Sequence, residues 1–181
     1  MTNLFFDEQE LLEMYKLKNI TRYNHKTRLK DESVAEHSFF TTLIALELCK
    51  KLKLDEKTTF LCVVKALLHD LPETELNDIT YDVKLALNLY PLLKVYEDKY
   101  FDKHFHDFAD LMNNDDENVV NLVIKYSDAA SVLQYAYNEI SLGNAKFAEI
   151  KDETIERLNV IYKKLMEAIQ NEKNWAIFGW I

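Results

Sequence analysis

Two glycines and two prolines in 181 residues constrain this chain more than any other feature. An all-β fold reverses direction every ten residues or so and relies on Gly and Pro to do it. Gly143 and Gly179 are also too few and too far apart for a dinucleotide fingerprint or a P-loop. What remains is an all-α chain whose loops use Asn and Asp, predicted as a bundle of about six to eight helices in a single domain over 1–181. Apolar residues make up 48%, and a chain this long buries a core without disulfides or a structural metal.

The formal charge of −9 argues against a nucleic-acid polymer as partner. Small phosphorylated ligands stay open, because a metal or a local cation patch can hold them. Cys49 and Cys62 have no C-x-x-C spacing and lie in apolar runs, so they read as reduced core residues. The first residues carry acids and no positive n-region, unlike a signal peptide. Apolar runs are broken by Glu47 or Lys65, well short of the roughly 18 residues that span a bilayer. A cytoplasmic protein with no membrane partner is expected.

Asp7 and Glu10 form a capping-box pattern that opens a helix over about 8–17. Residues 18–32 read as irregular and hold Arg22, Lys26, Arg28 and Lys30 with no acid from 21 to 30. Ser33 and Glu36 form a second box, for a helix to about Lys53. Asp55 caps a third helix to His69, whose run from Phe60 to Leu68 is apolar nearly all round, as for a central helix. Pro72 then disturbs the chain. A short helix is predicted over 82–89 and another over 92–111. Asn114 and Glu117 are placed to cap a long helix ending near Gly143, a C′ position. A last helix over 145–172 has apolar positions at Ile155, Leu158, Tyr162, Leu165 and Ile169. The apolar tail 175–181 needs a surface to dock on.

Five histidines are present. His69-Asp70 ends an apolar helix, where an unpaired carboxylate is costly. His106-Asp107 lies among charges and reads as a solvated face. His37 shares a face with Thr41, Ile44 and Leu48, which packs inward; a lone histidine there is more often a core residue with one hydrogen bond. Asp128 lies between Ile124 and Val132 on a helix apolar on both sides, and an ion pair with Lys125 would leave it half satisfied. Together His37, His69, Asp70 and Asp128 compose one mixed N/O set. Such a set suits a single divalent ion such as Co²⁺, Mn²⁺, Mg²⁺, Fe²⁺ or Zn²⁺. The paired Glu-x-x-His of di-iron bundles, His-Glu-x-x-His and Cys-rich zinc patterns are all missing.

That spacing on a helical chain resembles the HD-domain metal-dependent phosphohydrolases, and more closely the YfbR-like group of bacterial 5′-deoxynucleotidases. Glu32-Ser-Val-Ala-Glu-His-Ser38 is similar to the group's first histidine motif. His69-Asp-Leu-Pro-Glu73 with Asp78 is similar to its signature segment, and Lys125-Tyr-Ser-Asp128 through Gly143-Asn144 to its last ligand helix. Arg22 stands fifteen residues before His37, where the group has its phosphate-side arginine. The shared features run from about 20 to 144, and the C-terminal tail 175–181 shows no clear match.

The resemblance implies an HD-domain helical bundle that removes the 5′-phosphate from (deoxy)nucleoside monophosphates by attack of a metal-activated water, and a homodimer. In it Arg22 is the phosphate clamp, with Lys84, Lys26 and Arg28 as lesser candidates. Glu73 and Asp78 share water orientation, proton transfer and sugar contact. Tyr23 stands where the group usually has Trp, an aromatic thought to disfavour a ribose 2′-hydroxyl, so the choice of sugar is left open. A related enzyme reading is a triphosphohydrolase that releases tripolyphosphate. A reading of another class is a non-catalytic nucleotide sensor or scaffold, whose sign would be a lost ligand; none of the four is lost.

Overall fold

The protein is described from a computed structural model that covers residues 12, 15–113 and 118–177, and their side chains except at 107, 113 and 172–177. The helices are α1 (Val34–Leu52), α2 (Glu56–Leu68), α3 (Glu73–Leu76), α4 (Tyr81–Ala86), α5 (Tyr90–His104), α6 (His106–Asn113), α7 (Val119–Ser141) and α8 (Ala148–Ile177). Short 3₁₀ turns occupy Lys16–Asn19 and Ala145–Phe147. Among the described residues there is no strand, only an isolated bridge between Thr21 and Ser33, and the all-α expectation is borne out. No helix there is long and apolar enough to cross a membrane.

Local chemistry sets most of the boundaries. The Ser33 side chain accepts from the Glu36 N–H while the Glu36 side chain accepts from the Ser33 N–H, so both bonds of the predicted box exist. Asp55 accepts from the Thr58 N–H and opens α2. Asn118 caps α7 by accepting from the Asn121 N–H, while the expected caps Asn114 and Glu117 lie outside the described residues. Gly143 follows the end of α7 with φ of +101°, which a residue with a Cβ adopts only under strain. The capping pattern at Asp7 and the tail 178–181 lie outside the described residues.

α7 is the centre of the molecule. Its buried residues run from Val119 through Leu122, Val123, Ala129, Val132 and Ala136 to Glu139, and it packs on α1, α2 and α8. The main core joins Ala45 and Cys49 of α1, Cys62 and Ala66 of α2, Leu122 and Val123 of α7, and Leu158, Ile161, Leu165 and Ile169 of α8. Cys49 and Cys62 are free thiols in it. The predicted central position of the 56–69 helix is a correction. Phe60 and Leu67 of α2 are exposed, while Lys65 is buried and donates to the Asn121 side chain. One well-paired ammonium turns inward and leaves apolar side chains outside. Tyr162 is also exposed, and Ile161 takes the inward position on α8. The helix predicted over 92–111 is two helices, broken at Phe105.

Candidate metal centre

The end of α2, the first turn of α1 and the middle of α7 meet at one place. α1 brings His37, fully buried, on a line with Thr41, Ala45 and Cys49, one side chain per helical turn. α2 stops at Leu68, and turn bonds from Leu71 N–H to Leu68 and from Glu73 N–H to Asp70 carry His69 and Asp70 around a corner. α7 brings Asp128. One ligand atom each from His37, His69 and Asp70 lie within 4.8 Å of one another. His69 Nε2 is 3.2 Å and His37 Nε2 3.6 Å from Asp70 Oδ2, and His37 Nε2 is 3.2 Å from Asp128 Oδ1. Three of the four residues predicted as ligands therefore converge, and Asp128 adjoins them through its contact with His37.

The donor set fits a divalent ion. His69 Nδ1 is 2.7 Å from the Ala66 carbonyl, so Nδ1–H donates there and Nε2 is left facing the carboxylates. That Nε2 is buried and has no hydrogen-bond partner; its 3.2 Å approach to Asp70 lacks hydrogen-bond geometry. A buried nitrogen of this kind needs either an ion or a proton. Burial alone lowers the His69 pKa, but the Asp70 and Asp128 carboxylates outweigh it and raise it to about 9. His37 goes the other way, held neutral by burial and by the Arg22 guanidinium. Burial alone would raise Asp70, and the adjacent imidazolium holds it well below the carboxylate range. The same opposition acts at Asp128, where His37 and Arg157 prevail over burial.

Around this cluster stand the other predicted residues. Arg22 Nη1 is 2.7 Å from His37 Nδ1 and 3.0 Å from Glu32 Oε2. With Nδ1 accepting from Arg22, the His37 proton sits on Nε2 toward Asp128. Ser131 Oγ, 3.2 Å from the same Nδ1, is the alternative partner when Nδ1 carries the proton. Asp78 Oδ2 accepts from the Tyr23 N–H at 3.2 Å and ties the two segments together. Lys84 Nζ is 3.7 Å from Glu73 Oε1, while Glu73 Oε2 is buried without a partner. Burial and Asp70 raise the Glu73 carboxyl to about 9. Tyr23 has φ of +54°, costly for a bulky residue. Its ring stacks on Tyr135 at 5.3 Å and meets Phe147 edge-on at 5.5 Å, so its side chain is part of the core beside the site.

Of the lesser candidates, Arg28 pairs with Asp31 at 2.6 Å and donates to the Tyr23 carbonyl at 3.0 Å, and Lys26 is half-buried. The pairing of Asp128 with Lys125 considered from sequence is replaced by Arg157, whose Nη2 is 2.8 Å from Asp128 Oδ2. Sequence reasoning missed Arg157, and the only signal was an arginine next to the inward-facing Leu158. It also missed Glu139, which accepts from the Leu29 and Lys30 N–H groups at 2.8 Å each.

Solved structures share this architecture. A conserved hypothetical protein from Pyrococcus furiosus superimposes with a TM-score of 0.73 at 23% identity, over 93% of this chain and 99% of that one. The HD phosphohydrolase DatZ of cyanophage S-2L, bound to dA and one catalytic Zn²⁺ ion, gives a TM-score of 0.67 at 16% identity, with 92% and 96% covered. An HD-domain phosphohydrolase from Listeria innocua gives 0.65 at 23%, with 90% and 82% covered. At these identities the likeness establishes the fold, and the expected HD-domain bundle is borne out. No curated protein is a significant match in sequence. The 5′-deoxynucleotidase YfbR-like family model, however, matches residues 11–171, a span that includes His37, His69, Asp70, Asp128 and every helix that positions them, and the chain belongs to that family.

Proposed function

We propose that this protein is a divalent-metal-dependent phosphohydrolase that takes the 5′-phosphate from (deoxy)nucleoside monophosphates. The observation that carries the reading is the convergence of His37, His69 and Asp70 donor atoms within 4.8 Å, with a guanidinium beside them, in a chain of this family. When bound, a divalent ion supplies charge neutralisation and makes water acidic enough to act as a nucleophile near neutral pH. His69 would hold it through Nε2, His37 through Nε2 in the tautomer that carries its proton on Nδ1 toward Ser131, and Asp70 and Asp128 through carboxylate oxygens. The metal's identity stays open among Co²⁺, Mn²⁺, Mg²⁺, Fe²⁺ and Zn²⁺.

The chain's own groups supply the rest. Arg22 is half-buried and charged, and among the described residues only its Nη1 is hydrogen-bonded, to Glu32 and His37; its other N–H groups bind phosphoryl oxygens. Lys84 adds a second positive charge on the far side of Glu73. Glu73 Oε2, buried and unpartnered, is placed to orient the attacking water and to hold or release its proton. Asp78 holds the Tyr23 N–H and so keeps Arg22 in place; sugar contact by Asp78 and Tyr23 belongs to the same proposal. Positioning and charge neutralisation of this kind account for most of phosphoryl-transfer catalysis.

The test is product analysis on purified protein with Mn²⁺ or Co²⁺ and a panel of ribo- and deoxynucleotides, mono- and triphosphate, beside an Asp70→Ala control. Orthophosphate from deoxynucleoside monophosphates, absent in the control, is the expected result. Tripolyphosphate from triphosphates would move the protein to the alternative reading; the engagement of Arg28 by Asp31 and Tyr23 weighs against it. The homodimer and a single domain over 1–181 are part of the proposal, read by sedimentation over a concentration series and by a single cooperative unfolding transition.

A further inference from the structure

The C-terminal helix reaches the metal centre through one side chain. Arg157 of α8 places Nη2 2.8 Å from Asp128 Oδ2, while Asp128 Oδ1 is 3.2 Å from His37 Nε2. The two oxygens of this carboxylate thus face different partners. The Arg157 guanidinium carbon also lies 5.7 Å from the centre of the Tyr81 ring on α4. That cation–π contact gives the guanidinium a second anchor.

A carboxylate on a long helix has rotational freedom about its last bond, and both its oxygens can chelate one ion. A guanidinium donating to one oxygen removes that freedom. We infer that Arg157 is a positioning residue for the metal centre: it occupies Asp128 Oδ2 and so presents Oδ1 alone to the ion. The inference rests on the reading of His37, His69, Asp70 and Asp128 as ligands. Arg157 acts through Asp128 and not on the substrate. It also makes α8 a contributor to metal affinity, although α8 carries none of the four predicted ligands.

Co²⁺ titration followed by visible absorption tests this without turnover. The variants are Arg157→Ala, Arg157→Lys, Asp128→Asn and, on the exposed side of the same helix, Glu156→Ala. Loss of an outer partner of a ligand weakens metal affinity about tenfold or more. Arg157→Ala is expected to show that loss, with an altered Co²⁺ band at saturation as Asp128 turns to chelate through both oxygens. Arg157→Lys recovers part of the affinity and Glu156→Ala all of it, and the ion-free melting temperature of Arg157→Ala stays close to wild type. Wild-type affinity and spectrum in Arg157→Ala, beside lost binding in Asp128→Asn, would overturn the inference and leave the metal site standing. Wild-type binding in Asp128→Asn would overturn both. Weaker binding in Arg157→Ala with an unchanged band, together with a fall in ion-free stability, would reduce Arg157 to a structural contact and overturn the inference as well.

Discussion

Glu139 of α7 is fully buried, yet it is ionised. Burial raises its pKa, but the Asn144 amide and the Leu29 and Lys30 N–H groups hold it below the usual carboxylate range. Asn144 also donates to the Thr27 carbonyl and Tyr135 to the Lys30 carbonyl. The loop that follows Arg22 and Tyr23 is therefore fastened to the end of α7 by one carboxylate and its neighbours. Glu139→Ala leaves three donors without an acceptor and is expected to cost about 3 kcal/mol in urea unfolding at pH 7. The lowered pKa fixes the sign of the pH effect. The stabilisation is present above the unfolded value of about 4.3 and is lost as pH falls through the folded one. The gap between wild type and variant should shrink below about pH 4, and a gap that stays constant to pH 3 would contradict this. Arg22→Ala is expected to lower kcat/KM on a deoxynucleoside monophosphate by about 10²–10³-fold, as for other preorganised charge donors. Of these two residues only Arg22 was legible in the sequence, through the family resemblance and not from any local pattern. Glu139 has partners 109 and 110 residues away, and no local pattern distinguishes it from a surface glutamate.

Helices whose ends are set within three or four residues were legible, and those set by packing were not. The Ser33–Glu36 box closes inside one turn, so the start of α1 could be read directly. Ser33→Ala is expected to cost about 1 kcal/mol, seen as a lower melting temperature with metal binding retained. A drop of zero would mean that the bridge between Thr21 and Ser33 alone fixes the start of α1. The break between α5 and α6 has no Gly or Pro to announce it. Phe105 leaves helical geometry at φ −140° and packs against Tyr100 and Phe101, so tertiary burial outweighs local helical preference. α8 shows the limit of periodicity: steps of three and four both keep a face, and the choice of Ile161 over Tyr162 is made by the surface of α7. Leu165 is 1% exposed between these helices, and Leu165→Ala is expected to cost about 3 kcal/mol in chemical denaturation.

The molecule as a whole brings two imidazoles and two carboxylates from three helices to one point, and that convergence was the most legible part of the site. Buried charge is costly, so an acid flanked by apolar turns marks a partner across the core. What the sequence withheld was the second layer: Arg157 on Asp128, Ser131 beside His37, and the Ala66 carbonyl that fixes His69. The first two depend on how α8 and α1 pack on α7, and the third is a local bond at the end of α2 that no residue type announces. Because the ligands come from α1, α7 and the end of α2, an ion bound there stabilises all three against unfolding. At a free ion concentration about 100 times Kd the gain is about 2.7 kcal/mol, or roughly 5–10 °C in melting temperature for a chain of this size. A chelator should reverse it.

The most direct measurement is anomalous diffraction from crystals grown with Mn²⁺. The account predicts one peak per chain, at about 2.0–2.3 Å from the Nε2 atoms of His37 and His69 and from oxygens of Asp70 and Asp128. No peak at this cluster at millimolar Mn²⁺, or a peak held by other residues, would contradict it.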